Sequence, residues 1–266
     1  MSAHKHPKIA VMGIGWVGGA MSRYFQDAGL EPLLYDPPKK LGSKADLEAA
    51  EVVFLCVPTP FDKKSGGFDL SYVESAVGEL PGSKIVVIKS TVLPGRTDGL
   101  QKRFPQHRFL FNPEFLREKT CDFDVRNPDR QIMGVTEKSA GDADAVMALL
   151  PKAPYMKVMP AMAAEMVKYF GNCFLSLKVI FAEQVFDMTE KMGIDYATVR
   201  DAVAADTRIG PSHMNVNSDG YRGYGGHCFP KDVRALIQLG DRIGAEQELL
   251  KKCEEINLNY WNGTEH

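Results

Sequence analysis

The sequence has few cysteines, and none of them are paired at the spacing of a metal site or a small disulfide framework. The five cysteines are Cys56, Cys121, Cys173, Cys228 and Cys253. An odd number at wide spacing, without a CxxC pair, argues against both disulfides and a structural zinc site. We therefore expect a reduced, cytoplasmic protein without a metal ion.

The sequence also lacks a strong charge of either sign and a long apolar run. The formal net charge is -2, which gives no reason to expect nucleic acid or an anionic membrane as a partner. The apolar stretch 9–21 is rich in glycine and too short to span a bilayer, and it has no cleavage pattern of a signal peptide. What remains is a globular chain of 266 residues, enough for one large or two modest domains.

The first part of the chain alternates short apolar runs with helix-length segments. The predicted strands are 8–12, 32–35, 52–56, 84–88, 109–111, 131–135 and 155–159. The predicted helices are 16–28, 70–80, 96–104 and 138–150. Such alternation predicts an α/β fold, a Rossmann-type doubly wound parallel sheet with helices on both faces. We assign residues 1–158 to this domain.

After Pro160 the pattern becomes helical. A long apolar run at helical spacing predicts one helix over 161–192, and further helices are predicted over 196–205, 233–243 and 245–261. A polar, glycine-rich loop covers 206–227. We assign residues 159–266 to an all-helical central domain.

A dinucleotide site is predicted where the first strand meets the first helix. Gly13, Gly15 and Gly18 form a GxGxxG motif: the first glycine permits the tight turn, the second the approach of a pyrophosphate, and the third close helix packing. Asp36 ends the second strand, where a carboxylate meets ribose hydroxyls and disfavours a 2′-phosphate. The cofactor is therefore predicted to be NAD, and the remaining loop contacts are Ile14, Trp16 and Val17.

Two further strand ends belong to the same predicted edge of the sheet. Val57, Pro58 and Thr59 follow the third strand, and Ser90 and Thr91 follow the fourth. Ligands of open parallel sheets bind beyond the carboxyl ends of the strands, so these residues are candidate cofactor contacts. Taken alone, each group is more typical of an ordinary turn than of a binding site.

The long predicted helix carries Lys168 and Asn172 four residues apart, and hence on one face. A cation and an amide on one face can stabilise a developing oxyanion. Viewed in isolation, the pair is better explained as a solvated lysine beside a polar asparagine.

The segment 223–232 contains three glycines, Cys228, Pro230 and Asp232. Pro230 suits the first turn of a helix, and a thiol at a helix N-terminus has a lowered pKa and acts as a nucleophile. Asp232 falls in that turn, available to a cation such as Lys168. His227 also invites a Cys–His interpretation, although adjacent side chains usually diverge.

The segment 112–118 follows the fifth strand and contains two carboxylates, Glu114 and Glu118. They could supply a general base and a contact to cofactor or substrate. A solvated helix start with acidic residues in its first turn explains them equally well.

Taken together and in this order, these motifs resemble the UDP-glucose/GDP-mannose dehydrogenase family. The resemblance also rests on Cys56-Val-Pro-Thr-Pro60, Ser90-Thr-Val-Leu-Pro-Gly95 and Arg208-Ile-Gly-Pro-Ser212, and it runs from about residue 8 to the end. It implies the four-electron oxidation of the C6 alcohol of a nucleotide sugar, UDP-glucose to UDP-glucuronate, with NAD. Cys228 would form a thiohemiacetal and then a thioester, which water hydrolyses.

The resemblance also implies roles for individual residues. Lys168 and Asn172 would stabilise the oxyanion, and Asp232 and Thr91 would position water or assist proton transfer. Glu114 would be the base for hydrolysis, and Glu118 would contact the nicotinamide end of the cofactor. The implied substrate contacts are Glu114, Phe115, Leu116, Arg117, Glu118, Lys168, Asn172, Tyr221, Tyr224 and Gly225, within a loop that begins at Asp219.

The long central helix forms a dimer interface in this family, so the resemblance implies a homodimer. Family members usually continue past that helix into a second α/β domain that helps bind the nucleotide. This sequence ends at His266, about where that domain would begin. Two other functions stay open. A two-electron dehydrogenase of the β-hydroxyacid type also places lysine and asparagine four apart on a central helix, and a binding module would hold NAD or a nucleotide sugar without turnover.

Overall fold

The computed structural model describes residues 6–62, 67–217, 220–226 and 228–260. The chain divides into two compact units, Met1–Lys168 and Tyr169–His266. The predicted domain boundary after residue 158 stays a prediction. No helix in the described ranges combines the length and the apolar character needed to span a bilayer.

The first unit is built on a seven-stranded sheet and a small hairpin. Its strands are β1 (Ile9–Met12), β2 (Leu33–Tyr35), β3 (Val52–Leu55), β4 (Phe61–Asp62), β5 (Gly67–Phe68), β6 (Ile85–Ile88), β7 (Arg108–Phe111), β8 (Arg130–Val135) and β9 (Tyr155–Pro160). The order in the large sheet is β2-β1-β3-β6-β7-β8-β9, and β4 pairs with β5 in the hairpin. The strand order reverses between β1 and β3, which is the point where open α/β sheets bind ligands.

All pairs in the large sheet are parallel except β7 and β8, which run antiparallel. The predicted doubly wound α/β fold is therefore confirmed. The prediction that the whole sheet is parallel is wrong for one pair of strands, β7 and β8. The strands alternate between two cores: Val53 and Leu55 of β3 face one core, and Val52 and Phe54 face the other. A strand buried on both faces needs apolar residues at every position, as β3 has.

Helices cover the sheet. They are α1 (Trp16–Asp27), α2 (Ser71–Gly78), α3 (Arg96–Arg103), α4 (Cys121–Arg126) and α5 (Ala143–Met147), and α6 (Ala161–Met192) begins in this unit. The prediction of an α-helix over 138–150 is wrong for the first half of that range, because a 3₁₀ helix covers Glu137–Asp142. Thr136 and Ser139 form a capping box there, and Gly141 weakens the α-helix that could have followed directly.

The second unit is helical, as predicted. Beyond α6 it contains α7 (Tyr196–Ala204), α8 (Phe229–Ile243) and α9 (Glu248–Tyr260). Cys173 and Ile180 of α6, Val233 of α8, and Leu250 and Cys253 of α9 form its core. The helix α8 begins four residues before the predicted start at Val233, so its first turn includes Pro230.

Candidate functional site

The three glycines of the first loop have three different surroundings. Gly13 has a φ of +85°, and a Cβ there would lie 2.7 Å from the Cys56 carbonyl oxygen. A Cβ on Gly18 would lie 1.9 Å from the carbonyl oxygen of Gly13, whereas no atom of the described residues lies within 4 Å of a Cβ on Gly15. Packing therefore requires glycine at the first and third positions. Open space at the second fits the approach of a pyrophosphate.

The positive end of α1 opens on this space. Gly15 is the N-cap of the helix, and no side chain in the described part of the chain caps its first turn. Unpaired N–H groups and the helix dipole make such an end an anion site. Trp16 follows and is 62% exposed. The loop therefore fits the phosphates of a dinucleotide.

Asp36 joins the end of β2 to the glycine loop. Its Oδ2 accepts the Ile14 N–H at 2.7 Å, and its Oδ1 accepts the Lys39 N–H at 3.2 Å. The Lys39 ammonium in turn donates to the Ile14 carbonyl oxygen. Each carboxylate oxygen has two lone pairs, so the carboxylate retains acceptor capacity for a hydroxyl. The contact with ribose stays a prediction.

The ends of β3 and β6 are tied together by Ser90. Its buried hydroxyl donates to the Val57 carbonyl oxygen at 2.7 Å. Pro58 is exposed, whereas Thr59 and Thr91 are half-buried. The Ser90 proton thus holds the loop that follows β3, and the cofactor contacts of Thr59 and Thr91 stay predictions.

Glu114 and Lys168, both singled out from the sequence, form a buried ion pair. The Lys168 Nζ lies 2.7 Å from both the carboxylate Oε1 and the main-chain oxygen of Glu114, and the two side chains are 5% and 11% exposed. Burial raises the pKa of Glu114, but the Lys168 charge and hydrogen bond, with the Leu116 N–H, bring it below its ordinary value. Glu114 is thus held as a carboxylate.

A second buried lysine, not foreseen from the sequence, lies beyond β6. The Lys89 Nζ donates to the Asn112 Oδ1 at 2.7 Å, and the Asn112 amide donates to the Ile132 carbonyl oxygen at 2.7 Å. Burial lowers the pKa of Lys89 to about 8, against the attraction of Cys56 and Glu114. A lysine directly after a fully apolar strand was the signal that could have identified it.

Glu165 is another buried group that the sequence analysis missed. It is on α6, and it accepts the Gly95 N–H at 2.6 Å, the Thr97 N–H at 2.8 Å and the Thr97 hydroxyl at 2.6 Å. The carboxylate thus caps the start of α3. Burial raises its pKa to about 7 despite these bonds. A lone glutamate among apolar residues of a long helix was the available signal.

The rest of the predicted substrate segment is more exposed. The Arg130 guanidinium lies 3.9 Å from the centre of the Phe115 ring, and Arg117 pairs with Asp124. Glu118 is exposed and begins a short 3₁₀ helix. Its contact with the nicotinamide end of the cofactor stays a prediction.

In the second unit Cys228 is exposed and is the N-cap residue of α8, as the sequence predicted. Asp232, fully buried in the first turn, accepts the Asn172 amide at 2.6 Å and the Lys231 ammonium at 2.9 Å. The structure therefore brings two predicted residues, Asn172 and Asp232, into direct contact. Asp219 and His227 lie outside the described residues.

The glycine-rich loop includes three predicted substrate contacts. Tyr221 and Gly225 are half-buried, and Tyr224 is buried. The Tyr224 hydroxyl donates to the Glu254 carboxylate at 2.6 Å, and burial followed by this bond raises the pKa of the phenol. The hydroxyl of Tyr224 is thus engaged by α9.

Adjacent glycines of α1 provide a sharp test of the glycine loop. Gly18→Ala is expected to destabilise the protein by about 1–3 kcal/mol and to weaken NAD binding, because its Cβ would strike backbone. Gly19→Ala is the matched control. Its Cβ would meet only the flexible Arg23 guanidinium at 3.4 Å, so the change should be neutral or stabilising by about 1 kcal/mol. Urea unfolding and calorimetry with NAD measure both; equal effects of the two changes would contradict the packing argument.

Two matches to one protein family cover most of the chain. Residues 39–150 match the UDP-glucose/GDP-mannose dehydrogenase family, NAD binding domain, and residues 162–259 match the central domain of the same family. The first match confirms the predicted NAD cofactor at the level of the family.

Individual relatives agree. UDP-glucose 6-dehydrogenase of Rhizobium meliloti is 34% identical over 81% of this chain, which spans 52% of that protein. UDP-glucose 6-dehydrogenase TuaD of Bacillus subtilis is 34% identical over 94% of this chain, which spans 62% of that protein. The chain thus spans between half and two thirds of the length of these relatives.

A solved structure extends the likeness to the fold. The UDP-glucose dehydrogenase of Pyrobaculum islandicum is 30% identical, superimposes with a TM-score of 0.84, and is matched over 97% of this chain and 69% of its own. On these matches, the chain belongs to the UDP-glucose/GDP-mannose dehydrogenase family.

Proposed function

We propose that this chain holds the NAD-binding and catalytic parts of a UDP-glucose 6-dehydrogenase. The reaction would oxidise the C6 alcohol of UDP-glucose to the carboxylate of UDP-glucuronate. The observation that carries the proposal is an exposed cysteine at the start of a helix, Cys228, in a chain of this family. Oxidation of an alcohol to an aldehyde needs no nucleophile, whereas oxidation of the aldehyde to an acid by hydride transfer first needs a nucleophile to add to the carbonyl carbon, which an accessible thiol can do.

The chemistry divides between cofactor and protein. When bound, NAD accepts hydride. The Cys228 thiol adds to the C6 aldehyde, forming a C–S bond and a thiohemiacetal, whose oxidation by loss of hydride and a proton leaves a thioester. Water cleaves the C–S bond, releasing the acid and returning the proton to the thiol. The glycine loop and Asp36 would hold the dinucleotide.

The remaining residues would serve these steps. Lys168 and Asn172, four residues apart on α6, would stabilise the oxyanion. The Asn172 amide already has an orienting partner in Asp232. Glu114 is ionised beside Lys168, which suits a base for thioester hydrolysis. Thr91 and Asp232 would assist proton transfer, and Glu118 would meet the nicotinamide end of the cofactor.

The predicted homodimer and the cytoplasmic location belong to the same proposal. Exposed apolar residues recur along α6 beyond the first unit: Phe170, Phe174, Phe181, Met188 and Met192. A contiguous apolar face is typical of an interface. Sedimentation that gives a monomer at all protein concentrations would contradict the dimer.

The experiment counts NADH formed per product, with UDP-glucose as substrate. A four-electron oxidation gives two NADH for each molecule of UDP-glucuronate, because each hydride carries two electrons. One NADH and a carbonyl product would instead support the β-hydroxyacid type of dehydrogenase. Binding of NAD in calorimetry without NADH formation would support a binding module. GDP-mannose, UDP-N-acetylglucosamine and UDP-N-acetylmannosamine complete the comparison, since any of them could be the better substrate.

A further inference from the structure

The backbone that leads to Cys228 is held by a side chain of α9. The Asn257 Oδ1 accepts the Tyr224 N–H at 2.7 Å, and the Asn257 Nδ2 donates to the Tyr224 carbonyl oxygen at 2.9 Å. Asn257 is buried. One amide thus satisfies both main-chain groups of Tyr224, as a neighbouring strand would, and fixes that residue in position and orientation.

The same segment is held from α6 by a buried carboxylate. The Glu183 Oε1 accepts the Gly223 N–H at 2.8 Å, and its Oε2 accepts the Arg222 Nε at 2.6 Å. The Glu183 side chain is 2% exposed. A buried carboxylate in a charge-assisted hydrogen bond is a strong and directional anchor.

Gly223 packs too closely against α9 to accommodate a side chain. This residue has a φ of +77°, and a Cβ there would lie 2.5 Å from the Asn257 Oδ1 and 3.3 Å from the Tyr260 Cβ. The backbone therefore approaches α9 as closely as glycine allows.

The helix that follows Cys228 is anchored to α9 as well. The Glu254 carboxylate accepts the Arg234 Nε of α8 at 2.6 Å, and the Tyr224 hydroxyl at 2.6 Å. Cys228 lies between Tyr224 and Arg234 in the chain, so α9 contacts the chain before the thiol at the Tyr224 backbone and after it at the Arg234 side chain.

We propose that Asn257 and Glu183 are positioning residues that fix the Cys228 thiol for attack on the substrate, an inference that rests on the function proposed above. Each would act through the chain segment 222–224, which it holds by hydrogen bonds. Misplacement of a reacting group by about 1 Å costs about 100-fold in rate. Loss of either anchor should therefore reduce turnover far more than it changes NAD binding, because the predicted NAD site lies in the other unit.

The test compares two variants with two matched controls. Asn257→Ala removes both bonds to Tyr224, and Glu183→Gln removes one of the two carboxylate charges that hold Arg222, the other being that of Asp187. Asn259→Ala and Glu190→Gln change exposed residues of the same helices. The first readout is the rate at which iodoacetamide alkylates Cys228 in the folded protein, followed by peptide mass mapping. The second is the split between kcat and the KM for NAD.

We expect kcat to fall about tenfold or more in both variants, with the KM for NAD unchanged and the alkylation rate of Cys228 altered severalfold. Both controls should match the wild type. Folded variants with wild-type alkylation and kcat would overturn the inference, as would a parallel rise in the KM for NAD, which indicates general destabilisation. If Asn257→Ala does not fold, the alkylation rate and kcat of Glu183→Gln decide whether the inference holds. If the wild type has no turnover, the proposed function fails, and the alkylation arm still decides whether these residues position the thiol.

Discussion

Replacement of Lys168 by methionine is expected to destabilise the folded protein by about 3–5 kcal/mol. The substitution keeps the length of the side chain but leaves the Glu114 carboxylate, which is 11% exposed, without the ammonium that lies 2.7 Å away. A buried charge that loses its hydrogen-bonded partner retains its cost of desolvation. Lys191→Met is the matched control, since Lys191 is exposed on the same helix, and it should change stability by less than about 0.5 kcal/mol.

The pH dependence of stability should change sign with this substitution. In the wild type the pKa of Glu114 is lowered: burial raises it, but Lys168 and its other neighbours outweigh burial. Its contribution is therefore present above the ordinary glutamate pKa of about 4.3 and is lost as pH falls through the lower, folded value. In Lys168→Met burial should dominate and raise the pKa, so that stability is lost as pH rises from about 4.3 through the folded value.

Urea unfolding between about pH 4 and about pH 7 measures both effects. Lys168→Met combined with Glu114→Gln should recover much of the lost stability, because the double variant has no charge on either side chain of the pair. If Lys168→Met lowers the free energy of unfolding by less than about 1 kcal/mol, or if its pH dependence matches that of the wild type, the ion pair does not contribute substantially to stability.

Local patterns in the sequence were sufficient to predict those structural features that a single segment of the chain determines. The apolar run Val52–Leu55 forms a buried strand, because every residue of a doubly covered strand needs an apolar side chain. Cys228 is the N-cap residue of α8, because Pro230 suits the first turn of the helix that follows it. The spacing from Gly13 to Gly18 likewise follows from the steric needs of one turn.

Features that depend on distant segments could not be predicted in the same way. The antiparallel pairing of β7 with β8 is decided by the path of the chain between them, and each strand alone fits either direction. Lys168 forms an ion pair with Glu114, which lies 54 positions away in the chain. The contact between Asn257 and Tyr224 spans 33 positions, and nothing near Asn257 in the sequence marks it.

Cys228→Ser should abolish formation of the acid, with a decrease of about 1000-fold or more in the rate of UDP-glucuronate production. A serine hydroxyl has the same shape but is a poor nucleophile without an activating base, so the aldehyde would not be captured and the second oxidation would not occur. The first hydride transfer does not use the thiol, and NAD binding should be unchanged. Cys121→Ser is the control, since Cys121 is buried in the first unit.

The informative measurement is the nature of the product, because a slow variant can be slow for many reasons. Hydroxylamine traps an aldehyde, and mass spectrometry distinguishes the trapped aldehyde from UDP-glucuronate. We expect the serine variant to give at most one NADH per sugar and the trapped aldehyde, and Cys121→Ser to give two NADH and the acid. If Cys228→Ser still forms the acid at a rate near that of the wild type, the covalent step is wrong. Hydration of the aldehyde, followed by direct oxidation of the hydrate, would then replace the thioester, and Glu114 would be the group to test as the base that activates water.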